Sequence, residues 1–165
     1  MNSKGFTLIE LMLYVAIASL MLSAIVFSVS LVLESRVRQQ TVNEVEGQAL
    51  TVMQFMARAI RDAKTISTPA IGIGGSTLTI TTSAGTVTFD VTNNVLQMSE
   101  NGAVHPLTNN RVVVSELTFT NASRVDTPGI VRVSFTLTYK NPESRSEYDY
   151  TKTFYTSASL RPQTP

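Results

Sequence analysis

The chain has 165 residues, 43% of them hydrophobic, with a formal net charge of +1 and no cysteine. That length allows one ordinary domain, or a small domain plus a membrane segment. The absence of cysteine excludes a disulfide framework and any thiolate metal site. A near-neutral charge without a Lys/Arg cluster argues against direct nucleic-acid binding.

Apolar residues are concentrated at the start. From Phe6 to Leu33 one charged residue occurs, Glu10, and Leu11–Leu33 contains no charge, proline or glycine. As a helix, Phe6–Leu33 would be about 42 Å long at 1.5 Å per residue, and a bilayer core needs about 20 such residues. Helical serines such as Ser19, Ser23, Ser28 and Ser30 are tolerable in such a span when the hydroxyl bonds back to a carbonyl one turn earlier. A cleaved secretory signal has a shorter apolar stretch and no acid at its front. A plain signal anchor accounts for the length but not for Glu10. A carboxylate at the mouth of a membrane span is expensive, so a task is expected of it.

Residues 34–65 change character. Val42, Val45, Ala49, Met53, Met56, Ile60 and Ala63 recur at spacings of three and four, one face of an amphipathic helix. The Met53/Phe55/Met56 group reads as core against a sheet. Glu34-Ser35-Arg36-Val37-Arg38 marks the exit from the apolar environment. Gly47 weakens the helix, Lys64 suits its C-terminus, and Thr68-Pro69 stops it.

All six prolines lie beyond residue 68, and there the hydrophobic period becomes two. Strands are expected at Leu78–Ile80, Val87–Val91, Val95–Met98, Val112–Thr120, Ile130–Tyr139 and Ser146–Ser157. The turns between them fall at Ser83-Ala84-Gly85, Asn93-Asn94, Glu100-Asn101-Gly102 and Asn141-Pro142-Glu143-Ser144. Tyr148, Tyr150 and Lys152 would share one face of the last strand. The fold class is α+β: a long N-terminal helix packed on a C-terminal antiparallel sheet whose apolar face it covers. The organisation is a leader at 1–5, an apolar helix at 6–33, an amphipathic half at 34–65 and a β domain at 66–165.

Catalytic chemistry finds little support. His105, beside Pro106, reads as a solvated turn residue, and no Ser/His/Asp set can be assembled on spacing. Gly72–Gly75 is glycine-rich, but with no strand before it and no helix after it a phosphate loop is not indicated. Asp126 with Thr127, and Glu143 with Glu147 and Asp149, match no calcium-loop spacing. Asn121-Ala122-Ser123 fits a glycosylation sequon, and Tyr148, Tyr150, Phe154 and Tyr155 read as strand core and edge. The expectation is a protein that is not an enzyme and holds no cofactor or metal.

The run Lys4-Gly5-Phe6-Thr7-Leu8-Ile9-Glu10-Leu11, followed by an uninterrupted apolar helix, resembles the class III signal of type IV pilins and type II secretion pseudopilins. The resemblance implies cleavage between Gly5 and Phe6 by a prepilin peptidase and N-methylation of Phe6. It also implies pairing of Glu10 with the Phe6 amine of a neighbouring subunit. Gly5 lets the scissile bond approach a peptidase closely, and Lys4 holds the leader on the cytoplasmic side. The partners implied are that peptidase, other pilin or pseudopilin subunits, an assembly platform with its ATPase, and membrane lipid. The implied location is the cytoplasmic membrane, with the β domain outside, and then a filament in the periplasm or at the cell surface. The family's helix often carries Gly and Pro where this chain has Ser19 and Phe27. The phrase from Leu107 through Leu117-Thr118-Phe119 and Val131-Arg132-Val133-Ser134-Phe135 is loosely similar to J-type minor pseudopilins and related minor pilins. The alternative is a single-pass anchored binding domain outside the membrane that does not polymerise.

Overall fold

A computed structural model describes residues 7–125 and 127–162. The chain forms two compact units, residues 1–39 and 40–165. Helix α1, Leu8–Asp62, contains the boundary between them. In the first unit the helix is apolar and uncovered: Leu11, Met12, Leu20, Phe27 and Leu33 are all exposed.

In the second unit the same helix becomes one-sided. Thr41, Val45, Ala49, Val52, Met56, Ala57 and Ile60 are buried. The seam differs from the expected one at three places: Thr41 and Val52 are inside where Val42 and Met53, now half-buried flanks, were expected, and Ala57 is buried in addition. At about 100° per residue, position 52 lies nearly over Val45 whereas position 53 is displaced to one side. Both are apolar, so composition could not choose between them. Phe55 is 41% exposed and is not part of the core.

The helix ends before the expected Lys64. Lys64 already donates its backbone N–H to the Thr81 carbonyl at 2.7 Å. Strand β1, Thr65–Thr68, then comes before Pro69; its β-branched residues favour an extended backbone. The remaining strands are β2 Gly74–Gly75, β3 Leu78–Thr81, β4 Thr86–Thr92, β5 Val95–Glu100, β6 Ala103–Pro106, β7 Val112–Asn121, β8 Ile130–Tyr139 and β9 Thr151–Ser159. One sheet has the order β1-β3-β4-β5-β6 and the other β2-β7-β8-β9. Every pairing is antiparallel.

Period-two patterning decides which side chains enter the core. Leu78, Ile80 and Phe89 come from one sheet, and Phe119, Val131, Phe135 and Leu137 from the other. All lie in one cluster with Val45, Met56 and Ile60 of α1. Phe135 and Phe154 stack across β8 and β9 with centroids 5.8 Å apart. Two tight turns match their sequence signals: Asn93 and Asn94 have φ of 52° and 63°, and Asn101 and Gly102 have 50° and 88°. Asparagine and glycine are the residues that tolerate this left-handed backbone.

Three strands were not anticipated. β1, β2 and β6 have four, two and four residues, too few to show an alternation. His105 lies in β6, with its Cα opposite Met98, and not in a turn. The glycine-rich run does follow a strand, β1, but its last two residues form β2 and no helix follows. The last strand also starts later than expected. Ser146–Tyr148 is a 3-10 turn, held by reciprocal bonds between the Asn141 side chain and the Arg145 backbone at 2.8 and 3.0 Å. Tyr148 stacks on Tyr139 at 5.7 Å and does not share a strand face with Tyr150.

Gly47 is on the exposed side of α1, and a Cβ built there meets nothing within 4 Å. Gly47→Ala is therefore expected to stabilise the chain by about 0.5–1 kcal/mol. Thermal unfolding of the purified protein in detergent micelles checks this, and an unchanged or lower midpoint would count against it.

Candidate functional site

Lys4, Gly5 and Phe6, the residues expected to carry leader charge, cleavage and methylation, lie outside the described residues. Glu10 does not. It occupies the first turn of α1. Its backbone N–H donates to the Thr7 carbonyl at 3.1 Å and to Thr7 Oγ1 at 3.4 Å. Thr7 thus acts as N-cap and Glu10 stands three residues later, the spacing of a capping box. The helix dipole favours a carboxylate at this end. The sequence reading treated Glu10 as an expense of the span and missed that Thr7-Leu8-Ile9-Glu10 is also a helix-start signal.

Behind Glu10, α1 is long and apolar enough to cross a membrane, and its most apolar window has no buried residue. Three of the serine hydroxyls are satisfied locally. Ser19 donates to the Val15 carbonyl at 2.8 Å, Ser23 to Ser19 at 2.8 Å and Ser30 to Val26 at 3.0 Å. Each of these hydroxyls therefore has a partner without water, as a hydrocarbon environment requires.

The second unit contains a polar latch that the sequence did not disclose. Glu44 and Glu46 flank the buried Val45. Glu44 accepts from Asn109 Nδ2 at 2.6 Å and lies 3.7 Å from Arg111. Glu46 accepts from Lys152 Nζ at 2.6 Å and from the Tyr150 hydroxyl at 3.1 Å. The two acids thus tie α1 to the approach to β7 and to the start of β9. An acid at each side of a core position was the available signal, but its partners are 65 to 106 residues away.

The Lys152 hydrogen bond, seconded by that from Tyr150, holds the Glu46 carboxyl below its ordinary value. The same contact raises the Lys152 ammonium. Burial, then the bond to Glu46, pushes the Tyr150 phenol up.

Other residues singled out in the sequence have structural roles. Asn121 is 2% exposed; its Nδ2 donates to the Pro69 carbonyl at 2.8 Å and its Oδ1 accepts the Ser123 N–H at 3.2 Å. That amide is committed to joining β7 to the loop after β1, so the sequon is closed to modification in the folded chain. Asp126 lies outside the described residues. Glu147 pairs with Arg145, and among the described residues no group of three His, Cys, Asp or Glu is placed to hold a metal.

The prokaryotic N-terminal methylation motif matches residues 1–26. The N-terminus is of the type IV pilin and pseudopilin kind. Together with one long helix packed on antiparallel sheets, it makes the architecture pilin-like. The motif implies processing by a prepilin peptidase and assembly with other pilin subunits, and the apolar helix implies membrane anchoring. No curated protein and no solved structure matches this pilin-like chain.

The latch predicts a pH dependence. A depressed carboxylate stabilises the fold above its unfolded pKa and stops doing so as pH falls through its folded value. A raised ammonium stabilises below its unfolded pKa and stops as pH rises through its folded value. The pair therefore acts between about pH 4 and pH 10. Glu46→Gln should lower the melting midpoint at pH 7 by a small amount, since the pair is solvent-screened. The gap to the parent should close below about pH 4. A gap that persists unchanged at pH 3 would show that the charge contributes nothing.

Proposed function

We propose that this chain is a structural subunit, a minor pilin or minor pseudopilin, that serves in priming or assembling a type IV pilus or type II secretion pseudopilus. The observation that carries the reading is the methylation motif at residues 1–26 overlapping an uncovered apolar helix that starts at Leu8, behind the Thr7 cap. Prepilin peptidase cuts between Gly5 and Phe6, removes Lys4 with the leader, and methylates Phe6. The helix stays in the cytoplasmic membrane with the β domain outside. An assembly platform and its ATPase then lift the subunit into a helical filament.

In the filament, Glu10 receives the Phe6 amine of a neighbour. The two groups are four residues apart in one chain, about 6 Å along a helix axis, so a one-step shift between subunits brings one opposite the other. An unpaired buried charge costs several kcal/mol, and a partner offsets most of that. Misregistered subunits leave both charges unpaired, so the pair acts on register more than on strength. The role is non-enzymatic, with no cofactor. The loose similarity of the β7 and β8 segments to J-type minor pseudopilins favours a minor subunit.

Two measurements test this. The intact mass of the protein from peptidase-competent cells should correspond to loss of Met1–Gly5 plus one methyl group. An unprocessed terminus there would contradict the reading. Separately, Glu10→Ala and Glu10→Gln should both cut recovery in sheared filaments by at least about tenfold, the effect of losing about 1.4 kcal/mol. Glutamine preserves a capping box but not the charge. Wild-type recovery with Glu10→Gln would reduce Glu10 to a helix cap.

A further inference from the structure

We propose that the outer face of the β7-β8-β9 sheet is a binding site for an acidic saccharide, a chain containing uronic acid units. This goes beyond filament assembly and does not depend on it. The strand register builds a lattice of two rows. Thr118 of β7 is opposite Ser134 of β8, which is opposite Tyr155 of β9; Thr120 is opposite Arg132, which is opposite Ser157. The alternate residues Phe119, Val133 and Phe154 point into the core, so these six share the outward face. Together with Val133 and Thr156 they line one shallow concavity of about 420 Å³, within the size range of small-ligand sites.

The chemistry of the six is specific. Tyr155 is 76% exposed, with its ring on the surface and no stacking partner among the described residues. Arg132 is exposed and makes no ion pair among the described residues. It is diagonal to Tyr155 across β8 and β9, a spacing of about 7–8 Å. The remaining four carry hydroxyls. An exposed aromatic ring offers a platform for the apolar C–H face of a pyranose, hydroxyls match its hydroxyls, and a guanidinium pairs bidentately with a carboxylate.

The neighbouring rows are occupied differently. Thr136 and Thr153 bond to each other at 2.8 Å, Thr138 and Thr151 at 3.0 Å, and Thr136 also holds Glu116 at the β7 bulge. These hydroxyls are satisfied within the sheet, which leaves the Tyr155/Arg132 rows as the receptive part of the face. A protein partner would want an apolar centre; the one aliphatic residue bordering this concavity, Val133, is buried. A nucleic acid would want several cations along its path, and here there is one.

The test uses the full chain in lipid nanodiscs, free of sugar detergents, and saturation-transfer NMR with calorimetry. The probes are hexagalacturonate, the neutral hexamer cellohexaose, and a short DNA duplex. Hexagalacturonate should bind, and more tightly than cellohexaose. Tyr155→Ala should weaken it by at least about tenfold. Arg132→Gln should reduce it to the cellohexaose level, while the charge control Lys140→Gln leaves it unchanged. All three positions are surface residues, and unchanged melting midpoints would exclude misfolding. No binding of hexagalacturonate, equal losses with Arg132→Gln and Lys140→Gln, or preferential binding of the duplex would each overturn the assignment.

Discussion

The second unit depends on the burial of one stripe of α1, from Val45 to Ile60. Two sheets that are Thr-rich on their outer faces have to hide Phe89, Phe119, Phe135 and Leu137, and among the described residues they do so around Met56 and Ile60 of that stripe. Ala49 and Ala57 at the seam let the helix backbone approach the strands closely. Each large side chain in that interior is worth about 1.5–3 kcal/mol of transfer free energy, far more than any exposed ion pair. The Glu44 and Glu46 contacts therefore contribute little to stability. Their role is to set the rotation of the helix: a helix turned by one residue would present Glu44 or Glu46 to the apolar cluster in place of Val45.

The same helix faces the opposite problem in its first unit. Leu8–Leu33 exposes an apolar surface on all sides, well beyond the few hundred Å² that a soluble chain leaves uncovered. Such a surface requires a covering medium, either lipid or the equivalent helices of other subunits. Its internal hydrogen bonding is compatible with both, because the backbone is helical and Ser19, Ser23 and Ser30 bond within the helix. A segment equally content in lipid and among its own kind can pass from one to the other without refolding.

Legibility followed the range of the interactions. The α+β class, the long helix and the larger strands were readable because period and length are local properties. Val131, Val133, Phe135 and Leu137 declared β8 by alternation alone. β1, β2 and β6 were not readable, since two to four residues carry no period and depend on a neighbour for their existence. The delayed start of β9 depended on Asn141 bonding to Arg145 and on Tyr148 finding Tyr139, contacts between side chains that propensity does not encode. The seam of α1 was legible to within one position, since Val52 and Met53 are both apolar and only the sheet distinguishes them. Of the candidate site, the place of Glu10 at the front of the apolar helix was readable from pattern, whereas the Glu46–Lys152 latch spans 106 residues and had no local trace beyond two acids flanking a core valine.

Glu10 joins two levels of this description. As the third residue after the Thr7 cap, its position satisfies the start of the helix and draws on the dipole, so the charge is less costly there than anywhere later in the span. One turn deeper it would lose that support; one turn earlier it would fall at the expected terminus itself, on Phe6 or the Thr7 cap. The location at which a carboxylate can be carried most cheaply by the subunit is therefore also the location within one turn of the Phe6 amine that cleavage would create. A charge that a single helix tolerates at its mouth would become, among the packed apolar helices of the proposed filament, a group that only a correctly staggered neighbour could neutralise. In the proposed filament, register would then be specified by the cost of every other arrangement, and a uniform apolar rod would assemble with a defined step.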